Sequence, residues 1–174
     1  AKGAQAESLV LAGSLPAAVE LADFVLARAP GEPHATNAVA LAAAAGGRWV
    51  DVARWSGRVR GHRGVSDDWW VWQELAALLL AGRIADADRR YAELDANEPV
   101  GPVVSQLRDA VEALRESLRP DAAMLHHARE NARSLVGSQA LAAPPLVGSL
   151  GPVELLAVVA LALGEPEGAR QAFV

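Results

Sequence analysis

Cysteine is absent from the 174 residues. Neither a disulfide nor a thiolate metal site can therefore hold the fold together, and the chain places no demand on an oxidising compartment. Lysine occurs once, at Lys2, against many arginines; with abundant Ala, Gly and Val, this reads as the coding bias of a GC-rich bacterium. Aromatic residues make up only 5%, Ile84 is the sole isoleucine and Tyr91 the sole tyrosine. Few aromatic residues, a single isoleucine, no clear period-two segment and long Ala/Leu runs favour helices over strands. The longest apolar stretches, 38–45 and 153–163, fall short of the roughly 20 residues that span a bilayer, so no membrane association is expected. Positive charge is in deficit, with a net charge of −5 and a pI near 5.4, which argues against a general nucleic-acid or anionic-lipid surface. The chain lacks a leading Met and starts and stops inside helical pattern, so it reads as a piece of a larger, cytoplasmic protein.

What is present is a repeated punctuation mark. Gly13-Ser14-Leu15 leads to Ala18, Gly47-Arg48-Trp49 to Val52, Gly82-Arg83-Ile84 to Ala87, and Gly164-Glu165-Pro166 to Ala169. The first three glycines are 34 and 35 residues apart, and the helices they open are expected to stop at Pro30, Gly64 and Pro99. A period in that range is the mark of stacked helical units. Apolar stripes at three- and four-residue steps follow each glycine: Leu15, Ala18, Val19, Ala22, Val25, Leu26 and Ala29; then Trp49, Val52, Ala53, Ser56 and Val59; then Ile84, Ala87, Tyr91 and Leu94. A fourth copy is expected with Ser117 in place of the turn glycine and a stripe through Ala122, Leu125, Arg129, Ala132 and Val136 after Pro120.

Between these lie first helices, expected over 33–46, 66–81, 102–118 and 152–163. A proline opens three of them, where its missing N–H has no intrahelical partner, and Ser66-Asp67-Asp68 reads as N-cap and acidic first turn of the other. Short connections require antiparallel neighbours. The rhythm breaks over 137–151, where Pro144-Pro145 forbids a continuous helix and about a dozen residues read as an inserted loop. The resulting organisation is one all-α domain over 1–174, with units 1–31, 32–66, 67–100, 101–137 and 151–174 and an insertion at 138–150.

These features resemble the tetratricopeptide repeat family. The matching positions are the turn glycines Gly13, Gly47 and Gly82, the small residues Ala18 and Ala87 with Val52 between them, the bulky Leu15, Trp49 and Ile84, the aromatic Tyr91, and the closing Pro30 and Pro99. Trp72-x-x-Leu75-Ala76 is similar to the family's Trp-x-x-Leu-Gly signature. Gly64 in place of a closing proline, the lack of the signature Trp in the other first helices and Ser117 in place of a glycine depart from the pattern. The resemblance implies a right-handed α-solenoid of about five degenerate repeats with incomplete end repeats, whose concave groove accepts a peptide or protein partner. Transferred position by position, it places His34, Asn37, Trp70, Gln73, Glu74, Arg108, Glu112 and Arg115 in that groove.

Other clusters have plainer readings. Trp69, Trp70 and Trp72 are separated by about 100° per residue and cannot all face one core, so one of them is expected at the surface; Trp72 and Trp49 are the core candidates. Arg54, Arg58, Arg60, His62 and Arg63 fall where cations complement the C-terminal end of a helix. His126 and Glu130 share a helix face, yet they lack the metalloprotease order and a third ligand. No phosphate loop, nucleophile motif or zinc spacing occurs, so the expectation is a non-catalytic module without cofactor or metal. It resembles the repeat arms of multidomain bacterial transcriptional regulators; the alternatives are an accessory substrate-recognition domain of an enzyme such as a transferase, or a module that self-associates through its truncated ends.

Overall fold

The computed structural model describes residues 1–59, 67–94, 102–119 and 152–165, together with residues 123, 126, 127, 130 and 167. Among the described residues there are eight helices and no strand: α1 (Lys2–Leu11), α2 (Leu15–Leu26), α3 (Pro33–Ala45), α4 (Trp49–Val59), α5 (Asp67–Leu80), α6 (Ile84–Ala92), α7 (Pro102–Ser117) and α8 (Pro152–Ala162). The first-helix expectations agree with α3, α5, α7 and α8 to within a residue or two at each end.

Helix endings explain the period. Gly13, Gly47, Gly82 and Gly164 adopt φ of 77°, 67°, 71° and 74°, a left-handed backbone that a Cβ opposes. Each glycine N–H donates to the carbonyl three residues back, and the N–H after it to the carbonyl five back. The second bonds run from Ser14 to Leu9, Arg48 to Ala43 and Arg83 to Leu78 at 2.9 Å, and from Glu165 to Ala160 at 2.8 Å. This Schellman arrangement satisfies carbonyls that the helix end leaves open and turns the chain sharply into the next segment.

Ser117 does not stand in for a fifth such glycine. It is buried in the last turn of α7, where its Oγ donates to the Leu114 carbonyl oxygen at 2.8 Å. No non-glycine residue with positive φ occurs among the described residues, so α7 ends at Ser117 without the left-handed glycine that closes α1, α3, α5 and α8. The stripe expected after Pro120 lies outside the described residues, as do Gly64, Pro99 and the insertion at 138–150. Helix α2 stops at Leu26, ahead of Pro30, leaving Ala29 exposed off the end of its stripe.

Helix starts follow the prolines. Pro33 is the first residue of α3, and the N-cap before it is Glu32, whose Oε2 accepts from the Ala35 N–H at 2.6 Å. The same carboxylate lies against Gly3 of α1, leaving no room there for a Cβ. Ser66, expected to cap α5, lies outside the described residues.

Packing divides the chain into two compact units, one holding the described residues up to Arg83 and the other those from Ile84 onward. In the first, α1 packs on α2 and α3, α2 on α3, α3 on α4, and α4 on α5. Ala6, Ala22, Leu26, Ala35, Ala38 and Val39 form a core there, with Val10, Val19, Leu21, Val25 and Trp55 against it. Alanines at full burial, including Ala6, Ala18, Ala22, Ala35 and Ala38, let the helix axes approach closely. Helices α3 and α5 are buried around most of their circumference, whereas α2 buries only Ala18, Ala22 and Leu26. Composition does not set that contrast, since α2 is apolar over most of its length while α3 and α5 bury the polar Asn37 and Gln73. In the second unit α7 packs on α8, burying Leu107, Val111 and Leu114 on one helix and Leu155 and Val159 on the other.

Candidate functional site

Two polar constellations stand on the first helices, one in each unit. In the first unit, Glu7 of α1 reaches across to α3. Its Oε1 accepts from Asn37 Nδ2, and its Oε2 lies 2.9 Å from His34 Nδ1. The carboxylate is largely covered, at 14% side-chain exposure, while the His34 side chain remains open at 55%. Asn37 is buried. A carboxylate this enclosed needs donors to offset its lost hydration, and the two α3 side chains supply them.

In the second unit a polar seam joins α6 and α7. Asp88 Oδ1 accepts from Arg115 Nε at 2.7 Å and from Arg119 Nη2 at 2.6 Å. Tyr91 donates its hydroxyl to Glu112 Oε1 at 3.0 Å, and the Arg115 guanidinium lies 4.3 Å from the centre of the Tyr91 ring. Burial pushes the Asp88 carboxyl up, but the hydrogen bond and charge of Arg115, with those of Arg119, outweigh it and hold the group below its ordinary 3.8. A carboxylate depressed in the folded state contributes stability above its unfolded value and loses it as pH falls through the folded one. The Asp88 part of this seam therefore weakens in acid. Tyr91 moves the other way, raised by burial and then by the Glu112 charge and hydrogen bond.

The eight groove positions separate by exposure. His34 is exposed, and Glu74, Arg108, Glu112 and Arg115 are half-buried. Asn37, Trp70 and Gln73 are buried, at 8%, 6% and 1% exposure. The expectation that Trp70 turns an open face to a partner is thus corrected: α5 is enclosed on the side bearing Trp70, and Trp69 is the half-exposed member of the trio. Trp72 is buried as expected, and Trp49 is half-buried. Arg108 makes hydrogen bonds within its own helix, to Ser105 Oγ at 3.3 Å and Asp109 Oδ1 at 3.5 Å. Glu7 was not among the candidates. The trace it leaves is its spacing of 30 residues from Asn37, one period less about one helical turn, the offset of a side chain reaching along a neighbouring helix.

The remaining clusters are ion pairs and stacked cations. Arg54 pairs with Asp51, and Arg58 lies 4.7 Å from the centre of the Trp55 ring; Arg60, His62 and Arg63 lie outside the described residues. His126 Nε2 is 3.4 Å from Glu130 Oε1, and His127 Nδ1 is 2.9 Å from Glu116. No three potential metal ligands converge among the described residues, and none of their helices is long and apolar enough to cross a membrane. Comparison with protein-family models, with curated proteins and with solved structures found no match.

Proposed function

We propose that this chain is a non-catalytic interaction module, an α-solenoid of tetratricopeptide-like hairpins that receives a peptide or protein partner along its first helices. The observation that carries this reading is the set of four left-handed glycines, each closing a helix with the same pair of hydrogen bonds, the first three at spacings of 34 and 35 residues. Identical turns at a constant interval impose the same reversal on successive hairpins, and units so joined stack side by side. The contact of α1 with α3 supports it, because first helices of consecutive units then lie against each other. Such a scaffold uses its side chains to hold a partner, and the polar groups on α1, α3 and α7 suit hydrogen bonding to an extended chain. Membership of a larger cytoplasmic bacterial regulator, with the module sensing a partner, fits the composition and the family resemblance.

With Trp70 buried, the accessible positions are His34 and Glu74 in the first unit and, separately, Arg108, Glu112 and Arg115 in the second. The test is selection on a peptide array followed by titration of the best binder in solution. Replacing His34 and Glu74 together by alanine should weaken that binder by about tenfold, the effect of removing two contact side chains, with the helical circular dichroism unchanged. Binding indifferent to every one of the five positions would move the partner off the first helices.

A further inference from the structure

Phe24 stands out on α2 as a large apolar side chain left 41% exposed. Its ring is flanked by two cations from two helices. Lys2 Nζ, at the start of α1, lies 4.4 Å from the ring centre, and the Arg28 guanidinium lies 3.6 Å from it. Antiparallel pairing of α1 and α2 brings residue 2 beside residue 24. Arg28 is held in place because its Nη1 donates to the Phe24 carbonyl oxygen at 2.8 Å.

Two cations on one ring set this spot apart among the described residues, because Trp55 and Tyr91 each meet a single arginine. Arg48, Arg54, Arg89, Arg90, Arg108, Arg115 and Arg119 all stand against carboxylates. Lys2 and Arg28 pair with no carboxylate among the described residues, in a protein whose acids outnumber its lysines and arginines 21 to 16. We propose that Phe24, Lys2 and Arg28 form a docking point for an acidic peptide segment that carries an apolar side chain beside a carboxylate.

Each part of that chemistry answers one feature of the site. An apolar side chain laid on Phe24 removes exposed ring from water. Covering the ring with apolar atoms alone would strip water from two cations without replacing it, so a carboxylate at the ring edge, within range of both, is needed as well. A dense polyanion is disfavoured, because Glu20 and Asp23 are exposed on the same helix within a turn of Phe24 and repel a second and third negative charge. A nucleic acid or an anionic bilayer is therefore a poorer fit than a short segment with spaced carboxylates. This surface lies on α2 and the start of α1, apart from the first-helix positions proposed above, and does not depend on that reading.

The experiment uses the whole chain and three labelled probes read by fluorescence anisotropy: a short peptide alternating leucine and glutamate, its leucine–glutamine counterpart, and oligoglutamate of equal length. The leucine–glutamate peptide should bind best, and more tightly at low salt. The double charge reversal Lys2→Glu with Arg28→Glu should weaken it by about tenfold or more, and Phe24→Ala by a comparable factor, with thermal melts matching the parent. The proposal is overturned if the leucine–glutamate peptide does not bind, if the three substitutions leave its affinity unchanged, or if oligoglutamate binds as well. It is equally overturned if sedimentation shows that Phe24→Ala abolishes a self-association of the parent, because the occupant is then a second copy of the chain.

Discussion

Trp70 illustrates how one side chain changes role between pattern and packing. At helical spacing it shares a face with Gln73, which by family position turns toward a partner, yet both are buried. The indole Nε1 has no hydrogen-bond partner among the described residues, so the ring contributes through its volume while one donor goes unsatisfied there. Trp70→Ala should accordingly destabilise the fold by about 3–5 kcal/mol, and Trp70→Phe, which removes the unpaired donor and keeps most of the ring, by much less. Urea melts of the two variants check this; equal and small losses would place the ring at the surface. Tyr91 offers a cleaner probe, because it is the only tyrosine and its phenolate absorbance reports one site. Its hydroxyl is raised above the ordinary 10.0 by burial and by Glu112. A raised folded value means stability that is complete below the unfolded value and is lost as pH climbs through the folded one. The absorbance midpoint should lie above pH 10.0, and Glu112→Gln should lower it while leaving the burial contribution in place. A midpoint unmoved by that substitution would break the seam between α6 and α7.

Helices were legible where backbone chemistry punctuates them. Prolines and glycines act through φ and the missing N–H, which are local properties, so α3, α7 and α8 start at their expected prolines and four turns fall at their expected glycines. The period located the end of α7 at Ser117 but not the form of that ending, because only a residue without a Cβ takes the left-handed turn easily. The enclosed faces of α3 and α5 were not legible either, since an apolar residue at a predicted surface position gives no local sign of what covers it. A test at this scale is alanine at the turn glycines. At Gly13, Gly47 and Gly82 an added Cβ meets no atom within 4 Å, so the cost is that of the left-handed backbone alone, about 1–2 kcal/mol at each site. Gly46, with φ of −90°, is outside that region, and Gly46→Ala should cost less than any of the three. Chemical denaturation giving three similar losses and a smaller one at Gly46 is the expected result.

At the scale of the whole molecule, the functional reading rests on the hairpin being a unit that can be added or removed. Polar groups met on the first helices, Glu7 with Asn37 and His34 in one unit and Arg115 with Asp88 in the other, were only partly legible, because sequence identifies the groove-side positions but not the partner each finds across a helix interface. The most direct test of the repeat account is a matched pair of internal deletions followed by circular dichroism and denaturant unfolding. Removing residues 48–82 joins Gly47 to Arg83 and takes out one whole period of 35 residues; removing 48–64 takes out α4 and leaves α3 running into α5 without its reversing partner. In a stack of nearest-neighbour units, the first deletion should keep its helicity per residue and a cooperative transition, and the second should lose cooperativity. Collapse of the full-period variant, or equal tolerance of both deletions, would contradict the account.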